Sequence, residues 1–506
     1  MVGRGNPTPI GPFGGGLNTL EDPRIIGNDQ LASCTNMDVG RSGELIMRTG
    51  LNYVRSNIAA FNVGFSLIGT AIGPTGTNYV FVKDLYFHSI FYTSGAMGIG
   101  ITDPTIAWTQ LSSQSFSGNK LVQYNNTVIF IPQDSSTSVY CTLTSTGITA
   151  VTTTTAIPQG NNGIIFKDRL FVFGIISSLP NSAQPTTRVY YSASTNAVSF
   201  PIANFFDINP GDGEGVNAAI ILSDALVLFK TRSTYALYFD TDPGLGTLRR
   251  ISDEIGTSSS HSVVRYENVA YLIARRTVYR IQNLLFLDIG RNLNLMAKRF
   301  SVPVQTDNDK QDFIFAFNTK LFLIVYTGVG YLYYVYNVEV DAWVQYTFDE
   351  QPNKFYVVND LINGNALQTW VATKVSSSNL YLFSPSNPNS YGDYPSGTTA
   401  FYVKTKKYAF TDSTYYKRMF WWGMDALIGG LADSAQFTAY SDSVPSTTSS
   451  FTGTADKLIK FYKNFNAQRG RFFEFEIMGN ASSKVELLPG YVHIAQKNDV
   501  TDATST

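Results

Sequence analysis

The chain has 506 residues, which is enough for two or three domains and a large hydrophobic core. Hydrophobic residues make up 44% of it and charged residues 15%, and the formal net charge is −1. Avid nonspecific binding to nucleic acid is therefore not expected, because such binding relies on an excess of basic residues. The two cysteines, Cys34 and Cys141, are too few for a disulfide framework or a cysteine-based zinc site.

The first 50 residues differ in composition from the rest of the chain. They are rich in Gly, Asn and Asp and contain few strand-like runs, so they cannot build a core of their own. We predict that residues 1–50 form an extended N-terminal arm lying over neighbouring subunits. The opening "MVGRGNPTPIGPFGGG" has no apolar segment, and we expect no signal peptide.

The middle of the chain repeats one pattern: a polar turn, four to six apolar residues, a second turn, and a run that contains Tyr. The first turns lie 42 to 56 residues apart, near Thr77, Asn125, Lys167, Ser223, Glu267, Asn318 and Gly364. Periods of about 40–50 residues with several strands each are typical of propeller blades. We therefore predict an all-β chain with a β-propeller of about six to seven blades over residues 51–395.

Two large β-sandwiches are the alternative to a propeller, although their strands recur without a longer period. No WD dipeptide and no recurring Gly-Gly series assigns the repeats to the WD40 or kelch classes. One apolar run, residues 314–336, is long enough to span a membrane. Asn318, Lys320, Gly328 and Gly330 interrupt it, so it favours two strands and a glycine turn, and we expect no membrane span.

The stretch "NPGDGEG", residues 209–215, has the glycines and acids of a ligand-binding loop. A phosphate-binding P-loop requires Lys-Ser/Thr and a helix after its glycines, but Val216 and Asn217 follow here. The acids also lack the alternating spacing of a calcium-binding EF-hand loop. The stretch is interpreted as a turn between two blades.

A final all-β region, residues 396–506, is predicted to form a small sandwich-like domain after a linker near "GDYPSGTT". Its strands are expected in "FYVKTKKYAF", "RMFWWGMDALI", "AQFTAYS", "RFFEFEIMG" and "YVHIAQK". Glu474 and Glu476 lie two apart on one of these strands and so share a face. Such a pair can serve glycoside hydrolysis, but a solvated strand face is the expected interpretation.

A basic cluster in the same region is interleaved with aromatic residues. Its cations are Lys404, Lys406, Lys407, Lys417 and Arg418, and its aromatic members are Tyr402, Tyr408, Tyr415, Trp421 and Trp422. Such a mixture can contact nucleic acid. We favour instead a strand face that packs on a partner subunit.

No catalytic signature is present. The sequence contains no G-x-S-x-G, no H-E-x-x-H, and none of the S-x-D-x-G-x-x-W boxes of sialidase-type propellers. His88, His261 and His493 are far apart and are interpreted as isolated surface or core residues. We therefore expect that the protein is not an enzyme, with no catalytic, cofactor-binding or metal-binding residues and no cofactor.

Three stretches taken together resemble a known family. They are residues 12–50 ("PFGGGLNT" through "LASCTNMDVGRSGELIMRTG"), 166–194 ("FKDRLFVFG…RVYYSAS") and 205–238 ("FFDINPGDGEGVNAAIILSDALVLFKTRSTYALY"). Their order and wording are similar to the tail nozzle, or tail tubular (hub), proteins of short-tailed bacteriophages. The segment "RGRFFEFEIMG" is similar to the C-terminal β region of that family.

The resemblance implies a structural virion protein of the phage tail, assembled in the host cytoplasm. It implies a ring of six copies around a channel through which double-stranded DNA leaves, in contact with adaptor and portal-side tail proteins and with tail fibres. The family has no catalytic residues to carry over. A host-facing propeller that binds or cleaves carbohydrate is the alternative, and a bacterial or prophage-encoded scaffold with protein partners is a third.

Overall fold

The computed structural model describes most of the chain, in segments separated by short gaps. The described residues are 8–56, 65–84, 90–94, 105–106, 108–112, 120–133, 138–174, 185–275, 277–293, 295, 313–327, 330–352, 354–362, 365–373, 380–383, 393, 396–410, 416–430, 433–446, 448–452 and 458–496. Nearly all regular structure within them is β-strand.

The N-terminal part forms six strands. They are β1 (Thr8–Ile10), β2 (Gly16–Leu17), β3 (Gln30–Thr35), β4 (Met37–Val39), β5 (Leu45–Met47) and β6 (Leu51–Ser56).

Three four-stranded antiparallel blades follow, numbered in chain order. The strands of blade one are β7 (Phe65–Ile72), β8 (Asn78–Asp84), β9 (Ile90–Ser94) and, after the short β10 (Thr105–Ile106), β11 (Thr109–Ser112). Blade two consists of β12 (Lys120–Tyr124), β13 (Thr127–Ile131), β14 (Ser138–Thr144) and β15 (Gly147–Thr154). Blade three consists of β16 (Asn162–Phe166), β17 (Arg169–Phe173), β18 (Arg188–Tyr191) and β19 (Phe205–Asp207).

Four more blades complete the series. Blade four has β20 (Val216–Leu222), β21 (Ala225–Lys230), β22 (Thr234–Tyr238) and β23 (Thr247–Ser252). Blade five has β24 (Val263–Tyr266), β25 (Val269–Ala274), β26 (Thr277–Gln282) and β27 (Leu285–Asp288). Blade six has β28 (Phe313–Phe317), β29 (Lys320–Tyr326), β30 (Tyr331–Asn337) and β31 (Ala342–Tyr346). Blade seven contains β32 (Lys354–Ile362), β33 (Asn365–Thr373) and β34 (Leu380–Phe383).

The blades form a closed ring, which confirms the predicted all-β propeller. Each blade's first strand contacts the first strand of the next blade, and β32 of blade seven contacts β7 of blade one. Blade seven obtains its fourth strand from the N-terminal part, because β6 pairs antiparallel with β34. The propeller is therefore seven-bladed, and a strand from before blade one closes it.

The predicted turns between the first and second strands are found where the sequence placed them. Two-residue turns begin with a left-handed residue, which such hairpins require, at Asn125, Lys167, Ser223, Glu267 and Asn318 (φ 51°, 46°, 53°, 54° and 53°). Gly364 lies outside the described residues. The run 314–336 contributes to three strands, β28, β29 and β30, rather than the expected two, because Asn318 already turns the chain.

The C-terminal region forms two packed sheets. Its strands are β35 (Thr399–Thr405), β36 (Lys417–Ile428), β37 (Ser434–Ser441), β38 (Val444–Pro445), β39 (Ser449–Thr452), β40 (Leu458–Gly470), β41 (Phe473–Ala481), β42 (Val485–Leu487) and β43 (Gly490–Gln496). One sheet has the order β1-β43-β36-β42-β5-β4, with β40 also on β36. The buried Trp422 of this sheet packs against Phe437 and Phe475 of the other, with ring centroids 5.5 and 5.2 Å apart.

The second sheet joins the propeller to the sandwich. β3 pairs with β31 of blade six on one side and with β35 on the other, so that eleven strands form one sheet. The described N-terminal residues thus lie within this chain's own sheets, which differs from the extended arm expected over neighbouring subunits. β1, β3 and β5 pair with strands hundreds of residues away in sequence, and local composition gave no sign of those pairings.

A buried ion pair links these parts. Arg48 and Asp393 are 0% and 4% exposed and form a bidentate pair, in which Arg48 Nη1 lies 2.9 Å from Asp393 Oδ1. Arg48 also donates from Nε to Asn36 Oδ1 (2.9 Å) and stacks over Phe348, 4.5 Å from the ring centroid. Asp393 accepts in addition from the backbone N–H of Leu51, the first residue of β6 (2.8 Å). The pair holds the closing strand against blade six and the start of the sandwich.

Candidate functional site

The stretch 209–215 is a turn pinned by a buried lysine. Lys230 is fully buried and donates from Nζ to Asp212 Oδ1 (2.6 Å) and to Ile208 O (3.0 Å). Burial opposes ionisation of Asp212, but the hydrogen bonds from Lys230 and from the backbone N–H of Glu214 outweigh it and lower the pKa of Asp212. Glu214 accepts from the hydroxyl of Ser233 (2.9 Å). Both acids of the loop are thus occupied by contacts within blade four and its connection.

Glu474 and Glu476 share a strand face as predicted, but that face is not solvated. They are 4% and 7% exposed. Glu476 accepts from the hydroxyls of Tyr402 (2.7 Å) and Tyr440 (3.1 Å), and Glu474 lies 3.2 Å from Lys404 Nζ. Flanking strands β35 and β37 supply these partners and the cover, which sequence alternation along β41 could not reveal.

The basic cluster does not form one surface in the described residues. Lys406 is largely buried and donates to Ile26 O (2.6 Å), and Lys417 is 1% exposed. Trp422 and Tyr408 are buried in the core. The side chains alternate along two strands, so neighbours in sequence point to opposite faces. Tyr415 lies outside the described residues.

A polar segment, residues 256–262 ("GTSSSHS"), lies at the end of the propeller where the first strands of blades three, four and six begin. Asn162 at the start of β16 donates from Nδ2 to Ser260 O (3.1 Å), and Asn217 on β20 donates to Thr257 O (2.6 Å). The N–H of Ile314 on β28 donates to His261 O (2.9 Å). Three blades therefore hold this segment, here called the channel plug, at the end where the first strands begin.

The channel plug brings hydroxyls and an imidazole together. Thr257, Ser259 and Ser262 are buried, and the hydroxyls of Thr257 and Ser262 lie 2.5 Å apart. The His261 ring stacks on Phe313 with centroids 5.0 Å apart. His261 was predicted to be an isolated residue, because its contact with Phe313 forms only when the propeller closes. His88 and the side chain of His493 lie outside what the structure describes.

Lys120 begins β12 at the same end of the channel. Burial lowers the pKa of its ammonium to about 8, so a neutral amine forms more readily than on an ordinary lysine. An amine of this kind can act as a base or nucleophile. Lys120 was not predicted as a site residue, although it is the one cation of the otherwise uncharged strand "KLVQY". Among the described residues, no group of three or more His, Cys, Asp or Glu is positioned to hold a metal ion.

No helix in the described part of the chain is both long and apolar enough to cross a bilayer.

The chain matches no protein-family model and no curated protein. Several solved structures are similar to the chain at low TM-scores. The WD40 domain of Neurospora crassa Pan2 is 9% identical over 68% of this chain and 97% of its own, with a TM-score of 0.39. An exo-β-1,3-galactanase from Phanerochaete chrysosporium is 10% identical over 88% and 99% of the two chains, with a TM-score of 0.29. Trypanosoma rangeli sialidase is 10% identical over 90% and 93%, also with a TM-score of 0.29.

These comparisons correct the expectation that the protein is not an enzyme. Two of the solved structures found by comparison are glycosidases, so the comparisons do not agree with a non-enzyme. The exclusion is therefore wrong. At these identities the likeness concerns the fold and assigns no reaction to this chain.

Proposed function

We propose that the chain is a structural subunit of a short-tailed bacteriophage tail, in which copies form a ring around the channel for genome exit. One observation carries the proposal: the propeller and the sandwich are a single block. The eleven-stranded sheet runs from blade six into the sandwich, and the same N-terminal part supplies the closing strand of blade seven. Sheets that run from one domain into the other suit a subunit that must keep a channel open under load.

Two further features support the proposal. The sequence resemblance described above covers the N-terminal part and blades three and four. The formal net charge of −1 suits a conduit, because a strongly basic lumen would bind phosphates and slow the passage of DNA. Adaptor, portal-side and fibre proteins are the proposed neighbours of the ring.

Cryo-electron microscopy of virions that carry the protein tests the proposal. The expected result is a ring of these chains around an axial channel in the tail, and antibodies should label the tail tip or the head–tail junction. Density for the chain in peripheral spikes alone would contradict the proposal.

A propeller that binds or cleaves carbohydrate is the second candidate, and the pair of carboxylates on β41 favours it. Glu474 and Glu476 lie on one face of β41 beside two tyrosines and a lysine, and paired carboxylates can serve glycoside hydrolysis. A glycan panel and a reducing-sugar assay test this function. Activity that is lost in Glu474→Gln or Glu476→Gln, but kept in the control Glu486→Gln, would support it. A folded wild type without binding or release would contradict it.

A further inference from the structure

Two arginines face each other across neighbouring strands of the C-terminal sandwich. In the antiparallel pair of β36 and β40, Arg418 lies directly opposite Arg469. Directly opposed side chains share a face of the sheet, with Cβ atoms about 4.5–5.5 Å apart. Met419, the next residue of β36, is fully buried, so Arg418 and Arg469 are on the outer face of the sheet. Two like charges in these positions destabilise the strand pair.

Neither guanidinium has a counterion in the described part of the chain, where no carboxylate pairs with Arg418 or Arg469. The Nε of Arg418 is also buried without a hydrogen-bond partner, which costs free energy in the unliganded protein. Other arginines are held differently, because each forms an ion pair with a carboxylate: Arg24, Arg41, Arg48, Arg188, Arg250 and Arg275. Opposed charges without compensation favour a site for an anion.

A third arginine and a tyrosine extend this site. Arg471 follows Arg469 by two residues, and its guanidinium lies over the ring of Tyr416, 4.8 Å from the centroid. Tyr416 precedes Arg418 by two residues and is 45% exposed, and Arg469 and Arg471 are exposed as well. The ring contact and the spacing of two residues place all four side chains on the outer face. These four residues are here called the arginine site.

The charges beside the arginine site leave it positive. Both carboxylate oxygens of Asp442 accept from backbone N–H groups, those of Arg471 (3.0 Å) and Phe472 (2.9 Å), and not from a guanidinium. Lys407 donates from Nζ to the hydroxyl of Ser443, the residue after Asp442 (3.2 Å). This ammonium offsets the charge of Asp442, so the three guanidinium groups remain uncompensated.

We propose that the arginine site binds a phosphate monoester or free phosphate. A guanidinium can donate two parallel hydrogen bonds to phosphate oxygens, and the three terminal oxygens of a monoester allow two guanidinium groups to share it. At pH 7 a monoester carries nearly two negative charges and can neutralise Arg418 and Arg469 together, whereas each phosphate of a nucleic acid carries one. The exposed ring of Tyr416 is accessible to the group that bears the phosphate, such as a sugar. The site needs only one copy of the chain and is independent of the proposed function.

Isothermal titration calorimetry of the full chain with glucose 6-phosphate, glucose and inorganic phosphate tests the site. The wild type should bind glucose 6-phosphate and not glucose. Arg418→Gln and Arg469→Gln should each weaken binding at least about tenfold, because each removes a charged pair of donors. Arg469→Lys, which keeps the charge but not the planar donors, should lie between Arg469→Gln and the wild type. The control Arg275→Gln removes an exposed positive charge on blade five and should bind like the wild type.

Two further measurements separate a shared dianion from general attraction and from misfolding. Binding of glucose 6-phosphate should weaken as the pH falls from about 7.5 to about 5, because the ester loses its second charge near pH 6 while arginine stays charged. Thermal melts without ligand should show Arg469→Gln to be at least as stable as the wild type, because the opposed like charges are gone. Inorganic phosphate that binds as tightly as the ester would identify the free anion as the ligand, and weaker binding would identify an esterified phosphate.

A wild type that binds neither phosphate probe at millimolar concentration would overturn the inference, as would binding that is unchanged in both glutamine variants. A short DNA duplex that binds more tightly than glucose 6-phosphate, and is lost in the same variants, would make this a nucleic-acid site and would also overturn it. If the phosphate binds as expected but virions lack the chain in their tails, only the proposed function fails.

Discussion

Replacing Asp393 by alanine should loosen the closure of the propeller. The change removes the countercharge of the fully buried Arg48 and an acceptor for the N–H of Leu51. The guanidinium keeps neutral acceptors on Asn36, Thr49 and Thr347, but these do not neutralise its charge. Breaking one side of a buried ion pair costs about 3–5 kcal/mol.

The readout should be local, because the pair lies where β6 closes blade seven, and multi-domain chains can open one part before the rest unfolds. Hydrogen exchange of the β6 and β34 amides reports the opening of blade seven. A cost of about 3–5 kcal/mol corresponds to exchange that is faster by roughly two to three and a half orders of magnitude. Amides of blade four, far from the pair in the ring, should change little and provide the internal control.

Two comparisons sharpen the test. Glu254→Ala removes half of an exposed pair with Arg275, 3.0 Å apart, and should cost less than about 1 kcal/mol. A double-mutant cycle with Arg48→Ala and Asp393→Ala should show strong coupling, because either single change leaves a buried group without its partner. Equal effects of Asp393→Ala and Glu254→Ala, or unchanged exchange in β6, would refute the reasoning.

Three other changes have defined outcomes. Lys120→Met should raise the free energy of unfolding at pH 7 by about 1–3 kcal/mol, because it removes a buried ammonium. The difference from the wild type should shrink as the pH rises from about 8 to 10, since Lys120 of the folded wild type loses its proton at a lower pH than in the unfolded chain. Thermal melts across that pH range check the trend. The lowered pKa of Asp212 in the folded state stabilises the wild type above about pH 4, and this stability is lost as the pH falls through that lowered pKa. Asp212→Asn should therefore be less stable than the wild type above about pH 4. If the two proteins lose stability in the same way as the pH falls, the reasoning is wrong. Gly16→Ala should lower the free energy of unfolding by more than about 1 kcal/mol, because a Cβ at this residue (φ +60°) would lie 2.7 Å from Trp343 O. Urea denaturation measures the loss. The control Gly211→Ala also has a positive φ but open space around the Cβ, so the comparison separates the clash from backbone strain.

The repeat period of the sequence was sufficient to predict the propeller, because each blade is built from contacts between segments that are neighbours in sequence. The turn residues Asn125, Ser223 and Asn318 could be assigned individually, since a short polar turn between two apolar runs has a local signature. The interruption of the 314–336 run at Asn318 was visible for the same reason, although the number of strands was underestimated.

Contacts between distant segments were not predictable in the same way. Nothing near Thr35 indicates that it pairs with Gln345, and nothing near Glu474 indicates that Lys404 will neutralise it. His261 gained its place in the channel plug only because the ring brings blades three, four and six to one point. Assignments that depend on such juxtapositions need the closed structure.

Closure of the propeller by β6 also affects how the chain folds during translation. β6 is among the first strands to leave the ribosome, but its partner β34 is made more than 300 residues later, and β1 pairs with β43 at the far end of the chain. β1 and β6 therefore lack these partners until translation is nearly finished, and exposed, unpaired strand edges are prone to aggregation. Chains released before residue 380 would lack β34, which closes the seventh blade with β6, and the strands β35 to β43 of the sandwich. Only complete chains could therefore assemble, because the propeller of an incomplete chain is not closed.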